Sequence, residues 1–390
     1  MTLSPAPRIF IVSAEVSGDI HGAALAREIR SLAPDVRLEG LGGPRMAAAG
    51  VRLMGDSSAW GVVGWFEAAR QLRPFLRRLD ALTQLLRAHS PDLLVAVDAP
   101  GFNLPLLKRL GGRIPAVYYV PPMVSIRRGR RAQSVAALGV RLLTIFPFEA
   151  EAYRRVGADV TFVGHPATEL PAAIEPAARI RTRLGITPSV PVVGLLPGSR
   201  RQEITLLLDR MLDAVRRVRA AEPSVELLLA LASPIFSDEV QRAVASSGLP
   251  ISILEGARDV MAVSTVVLMA SGTATVEAMV LGAPMVVTYR GSQLSWWFVP
   301  LAVTTRWAAI PNIMAKETVV PELLQGRATA SAMSDAVLKL LHDPPAREGM
   351  RRRLAGLAQS LGAPGAPRRA AGEILRAMGM SNLMPDFAVQ

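Results

Sequence analysis

Short, almost unbroken apolar runs alternate along this chain with stretches in which apolar residues recur every three or four positions. "RIFIVSA" leads into "GDIHGAALAREIRSLA", where Ile20, Ala23, Ala24, Arg27, Ile29 and Leu32 fall on one helical stripe, and "VRLEGLGG" follows as the next run. "DLLVAVDAP", "AVYYVPP", "LLTIFPF" and "VTFVGHP" continue the series, with helical segments between them. Such runs fit strands buried on both faces, and their alternation with helices predicts βαβ units in a parallel sheet. After "GHPATELP" the composition turns to proline and alanine. A second series then begins with "VPVVGLLPGS" and runs through "SVELLLALA", "ISILEG", "TVVLMASG" and "APMVVTYR".

The pattern predicts an α/β protein of two Rossmann-like domains, residues 1–168 and 169–345, joined near Gly164 to Pro171. Residues 346–390 carry "PAREGMRRRLAGLAQSL" and "APRRAAGEILRAM", two helices split by a Gly/Pro turn. They predict a C-terminal helical extension that packs back on the N-terminal domain or on a second subunit. No internal sequence repeat accompanies the two halves. A length of 390 residues agrees with more than one core, and a hydrophobic content of 50% argues against disorder.

Charge and residue usage narrow the chemistry. The 44 Lys and Arg against 32 Asp and Glu leave a net charge of +12, which favours an anionic partner such as phosphate, acidic lipid or nucleic acid. No recognisable nucleic-acid module is present, so phosphate and membrane account better for the excess. The absence of cysteine excludes disulfides and thiolate metal sites, and four scattered histidines give no zinc spacing. Gly194 and Gly198 are not followed by the Lys and Ser/Thr of a nucleotide-triphosphate loop. The N-terminus "MTLSPAPRIFIVSAEVSGD" lacks the plan of a signal peptide and is expected to form a first strand. Polar interruptions in Val260 to Val276 argue against a transmembrane helix.

Asp98 breaks its own run: "LLVAVDAPGFNLPL" places a carboxylate directly after five apolar residues, with Ala99, Pro100 and Gly101 behind it. In open parallel sheets the working groups lie at the carboxyl ends of strands, so Asp98 stands where a working group would; an N-cap or turn role is the competing reading. Glu15 ends the first strand in the same way. Behind it Ser17 and Gly18 open a helix whose amides can face phosphate or sugar, and Asp19 reads as structural.

The succession "SAEVSGDIHGAAL", "GLGGPRM", "WGVVGWFE", "VDAPGFNLPL", "FPFEAEAYRRVG", "FVGHP", "LLPGSRRQEI", "ASGTATVEAMVLGAPMVVTYR" and "IPNIMAKETVVPELLQ" resembles the lipid-A-disaccharide synthase family over nearly the whole chain. The resemblance implies an inverting glycosyltransferase of the two-Rossmann (GT-B) type. Such an enzyme joins UDP-2,3-diacylglucosamine to 2,3-diacylglucosamine 1-phosphate (lipid X) and releases UDP, with no cofactor. It implies a cytoplasmic protein held peripherally on the inner face of the inner membrane, with the first domain facing acceptor and membrane and the second binding UDP-sugar. A homodimer is the one protein assembly left open. Two alternatives stay beside it: another UDP-hexosamine enzyme of the same fold, either an epimerase or a transferase, and a nonenzymatic lipid or nucleotide-sugar-binding relative.

Under the resemblance, Asp98 is the base that takes the proton of the acceptor 6-hydroxyl and Glu15 supports it. No Asp-x-Asp triplet occurs in the chain, so metal independence is expected and the leaving diphosphate must be met by amides and cations. Ser271, Gly272 and Thr273 open a helix after a strand, Glu277 lies about one turn on, where it can accept ribose hydroxyls, and Arg200 and Arg201 follow a Gly-Ser turn. Asn312 in "IPNIMA" has the donor and acceptor to read an amide or uracil edge, and Gln325 in "ELLQ" matches the donor site too. Trp60, Val62, Val63, Trp65 and Phe66, followed by Arg70, Arg73, Arg77 and Arg78, suit an interfacial segment, with Pro74 expected to start a new helix. One stretch departs from the family: "YVPPMVSIRRGRR" has Ser125 and Arg127 where tryptophans are expected, which bears on the acceptor side. His165 in "VGHP" reads as structural.

Overall fold

The computed structural model describes residues 6–57, 65–126, 130–291 and 304–380, with side chains of 65–72 outside the description. The chain divides into two compact units, residues 1–166 with 362–390, and residues 167–361.

The first unit is built on β1 (Arg8–Ser13), β2 (Arg37–Gly42), β3 (Arg52–Asp56), β4 (Leu93–Val97), β5 (Ala116–Tyr119), β6 (Arg141–Thr144) and β7 (Val160–Phe162). Among the described residues these pair in parallel in the order β3-β2-β1-β4-β5-β6-β7. β4 is buried at all five positions, as its unbroken "LLVAV" requires. β3 has no such run. Its "RLMGD" alternates exposed and half-buried positions because it lies at the sheet edge, and its sequence gives no strand signal.

Helices α1 (Val16–Leu32), α2 (Pro44–Ala48), α3 (Trp65–His89) and α4 (Pro100–Leu110) join the first five strands. Two expectations change here. The buried face of α1 is Gly18, Asp19, Gly22, Ala23, Leu25, Ala26 and Ile29, while Ile20 is exposed. The face is turned by about one residue because α2 and the last helix cover its flanks and small residues allow the close approach. Secondly, α3 runs through Pro74 as one helix. Proline removes one ladder bond, but Leu79, Leu82 and Leu86 are buried in the core behind it, each worth roughly 1.5–3 kcal/mol.

The second unit repeats the plan. β8 (Val192–Leu196), β9 (Glu226–Leu231), β10 (Ile251–Glu255), β11 (Val266–Ala270), β12 (Met285–Tyr289) and β13 (Glu322–Leu324) form a parallel sheet in the order β10-β9-β8-β11-β12-β13. β13 is three half-buried residues, too short to announce itself in sequence.

The C-terminal stretch differs from the single extension expected. Helix Pro344–Gln359 belongs to the second unit, where Met350 and Leu354 are buried and Met350 Sδ lies 3.4 Å from the Met285 amide. Helix Ala366–Ala377 belongs to the first, burying Ala370, Ala371, Ile374 and Leu375 on a face that packs with α1. Arg368 reaches Glu28 of α1 at 3.1 Å. Each helix follows its own apolar stripe.

Candidate active site

In the first unit the strand order reverses between β1 and β4, whose ends pair Ser13 with Val97. At such a reversal the chain leaves the two strands toward opposite faces and opens a crevice at their carboxyl ends. Glu15 and Asp98, distant in sequence, are each carried to that crevice.

Asp98 is half-buried. Asp98 and Ala99 are consecutive left-handed residues, with φ of 50° and 45°. Each left-handed non-glycine residue costs about 1–3 kcal/mol and persists where its surroundings impose it. Here the Asp98 carbonyl accepts hydrogen bonds from Asn103 Nδ2 (2.7 Å) and Tyr118 Oη (2.9 Å), and its amide donates to the Tyr119 carbonyl (3.0 Å). The carboxylate does not cap α4, whose N-cap is Ala99; its Oδ2 accepts from Ser17 Oγ at 2.6 Å. The carboxylate therefore takes no part in capping α4.

Glu15 occupies the N-cap position of α1 without a side-chain capping bond. It borders a small cleft lined also by Val16, Gly43, Pro44, Arg45 and Ser57. Asp19 is structural, as read from sequence: its buried carboxylate accepts from the amides of Gly43 (2.9 Å), Arg45 (3.1 Å) and Met46 (3.0 Å) and so fixes the start of α2. Gly18 has no room for a side chain. It is buried, and a Cβ there would lie 2.5 Å from Ser13 Oγ and 3.2 Å from the Val97 carbonyl. Its job is to let α1 approach β1 and β4.

His21, one turn after Ser17, has its pKa lowered by burial, opposed by the charge of Asp98. Burial and the Asp98 charge push the Tyr118 phenol well above its ordinary range, so it remains a hydrogen-bond donor. His165 is buried against Phe146, with ring centroids 4.9 Å apart, and burial, aided by His21, pushes its pKa down to about 3. Below its ordinary pKa of 6.5 the unfolded chain binds a proton that the folded chain refuses, so stability present above that pH falls as pH drops toward 3. Between pH 7.5 and pH 5 the loss is about 2 kcal/mol. Thermal unfolding at the two pH values should show His165→Gln with a smaller acid-induced loss than the parent; equal losses would remove His165 as the source.

The second unit has the equivalent reversal between β8 and β11. Arg200 follows β8 and is mostly exposed, 3.5 Å from Glu203. Glu203 accepts from the amides of Ser199 (2.9 Å) and Arg200 (3.2 Å) and closes the turn over Gly198, whose φ of 120° and proximity to Glu203 exclude a side chain. Arg201 is turned elsewhere, 3.0 Å from Glu239 and over the Phe236 ring. After β11, Gly272 and Thr273 are exposed, and Ser271 Oγ donates to the Ala308 carbonyl (2.8 Å). Glu277 is half-buried, 3.3 Å from Arg258.

Asn312 does not fit the expected reading of a uracil or amide edge. It is fully buried; Nδ2 donates to the Val320 carbonyl (2.9 Å) and Glu322 Oε1 (2.7 Å), and Oδ1 accepts from the amides of Val319 (2.7 Å) and Val320 (2.9 Å). An asparagine side chain has two donor hydrogens and two acceptor lone pairs, and all four are used. Glu322 also accepts from the amides of Ala308 and Ala309, both at 3.0 Å. Asn312 and Glu322 thus shape the backbone that meets Ser271. Gln325 has a left-handed backbone, with φ of 53°, and its side-chain amide lies beside the Gly291 backbone.

The divergent segment is anchored through Glu149, a buried carboxylate whose pKa burial raises. It accepts from the Val124 amide (2.7 Å) and from Ser125 Oγ, and Tyr153 Oη donates to the Pro122 carbonyl (2.7 Å). Ser125 therefore ties the segment to Glu149. Asn103, Glu149 and Glu322 were not singled out from sequence, although each lies in a quoted motif. Trp60, Val62 and Val63, the side chains of Trp65, Phe66 and Arg70, and Arg127 lie outside the described residues. No group able to hold a metal ion occurs among the described residues, and none of their helices is long and apolar enough to cross a membrane.

A family model described as lipid-A-disaccharide synthetase matches residues 9–358. The lipid-A-disaccharide synthase of Geobacter sulfurreducens is 36% identical over 97% of this chain and 99% of its own. That of Pseudomonas fluorescens is 39% identical over 86% of this chain and 90% of its own. Among solved structures, a UDP-GlcNAc 2-epimerase from Neisseria meningitidis bound to UDP-GlcNAc aligns at TM-score 0.62 and 12% identity, covering 96% of this chain and 97% of that one. The calicheamicin glycosyltransferase CalG4 aligns at 0.58 and 17%, covering 96% and 99%. These distant likenesses agree with a GT-B fold.

Proposed function

The chain belongs to the lipid-A-disaccharide synthetase family and is a glycosyltransferase that forms the lipid A disaccharide, and we propose that Asp98 is its catalytic base. The donor is UDP-2,3-diacylglucosamine and the acceptor 2,3-diacylglucosamine 1-phosphate. The acceptor 6-oxygen attacks the anomeric carbon opposite UDP and its proton passes to Asp98. The bond to UDP breaks with its electron pair on the diphosphate, inverting the anomeric centre. The observation that carries this reading is the half-buried Asp98 carboxylate, held at the strand-order reversal by a strained turn and one serine. A positioned base of this kind supplies about 10²–10⁴-fold. Glu15, at the same crevice, orients the acceptor.

In the second unit, Arg200, the amides of Ser271, Gly272 and Thr273, and Glu277 hold UDP, while Asn312 and Gln325 keep their surroundings in shape. Arg200→Ala should raise KM for the UDP-sugar about tenfold, more at low salt, with kcat little changed. Steady-state kinetics at two ionic strengths measure this, and an unchanged KM would take Arg200 out of the donor site.

Both substrates carry acyl chains, and the exposed Arg73, Leu76 and Arg77 on α3 suit an anionic membrane surface. We place the protein peripherally on the inner face of the inner membrane. The purified chain in detergent micelles, with both substrates and a chelator, should yield disaccharide phosphate and UDP by mass spectrometry. No product with UDP still bound would refute the substrate pair, and product that requires added metal would refute metal independence.

A further inference from the structure

We propose that Ser17 is a positioning residue that gives the two oxygens of Asp98 different tasks, an inference that rests on Asp98 being the base. An ionised carboxylate offers lone pairs on both oxygens and rotates about its terminal bond, so a base on a turn needs a partner to choose the oxygen facing substrate. Among the described residues, Ser17 Oγ donates to Asp98 Oδ2 at 2.6 Å, within the range of strong hydroxyl–carboxylate bonds. That bond leaves Oδ1 to receive the acceptor proton.

Both ends of the contact are held from behind. On the Asp98 side, Asn103 and Tyr118 clamp the carbonyl of a left-handed residue, which fixes where its side chain starts. On the Ser17 side, the next two residues are immobilised: Gly18 is pressed against Ser13 and Val97, and Asp19 is buried on three amides. Ser17 directly precedes these two anchors, and its hydroxyl hydrogen is donated to Asp98. His21, one turn on, is kept toward its neutral form by burial. Ser17 thus acts through the base, Asp98.

The test is steady-state kinetics of Ser17→Ala and Ser17→Thr beside Asp98→Asn, with thermal unfolding of each. Loss of a hydrogen bond to a charged group should lower kcat of Ser17→Ala by about 10- to 100-fold, with KM for both substrates within about twofold. Ser17→Thr, which keeps the hydroxyl, should recover most of kcat. Unchanged kcat, a KM rise at constant kcat, or a kcat loss shared equally by the threonine variant would each overturn the proposal. If Asp98→Asn turns over normally, the base itself is misassigned; if it is inactive while Ser17→Ala is normal, the positioning role alone fails.

Discussion

Asp98→Asn is expected to lower kcat by about 10²–10⁴-fold while UDP affinity stays within about twofold. The substitution suits this position because asparagine tolerates a left-handed φ, which Asp98 adopts at 50°. The Asn103 and Tyr118 bonds go to the backbone carbonyl, which the variant retains, and Ser17 can still donate to the amide oxygen. The fold and the crevice should therefore survive, and the lost property is the ability to accept a proton at neutral pH. Calorimetric UDP binding together with turnover separates the two. Turnover near the parent rate would remove Asp98 from the mechanism.

Asn312→Leu should destabilise the second unit by roughly 3–5 kcal/mol. A side chain of similar size with no polar atoms leaves the amides of Val319 and Val320, the Val320 carbonyl and one Glu322 oxygen without their buried partner. Released from Asn312, Glu322 would hold Ala308 and Ala309 less firmly, and through the Ala308 carbonyl the position of Ser271 would loosen. UDP binding is expected to weaken in step with the loss of thermal stability. A variant that unfolds at the parent temperature yet loses UDP would return Asn312 to direct contact with the nucleotide.

Much of the crevice was legible because carboxylates and Gly-Ser turns directly after apolar runs mark strand ends. Asp98, Glu15 and the Arg200 and Ser271 turns are placed at the two reversals on that ground. The edge strand β3 and the three-residue β13 left no apolar run to find. The face of α1 was misjudged by about one residue because the burial of Gly18 and Asp19 depends on α2 and the last helix, which are distant in sequence.

What this sequence determines by itself is the alternation of fully buried strands with helices, since a strand covered on both faces must be apolar along its whole length. The tertiary structure alone decides which polar side chains are left for chemistry. Asn312, Asp19 and Glu149 have the polar atoms of site residues, but each spends them on backbone groups that folding brings beside it. The Asp98 carboxylate, half-buried at the end of β4, has Ser17 as its side-chain donor among the described residues. A buried polar group must be satisfied wherever the chain places it, and that placement is set by contacts across the sheet, not by its neighbours in sequence.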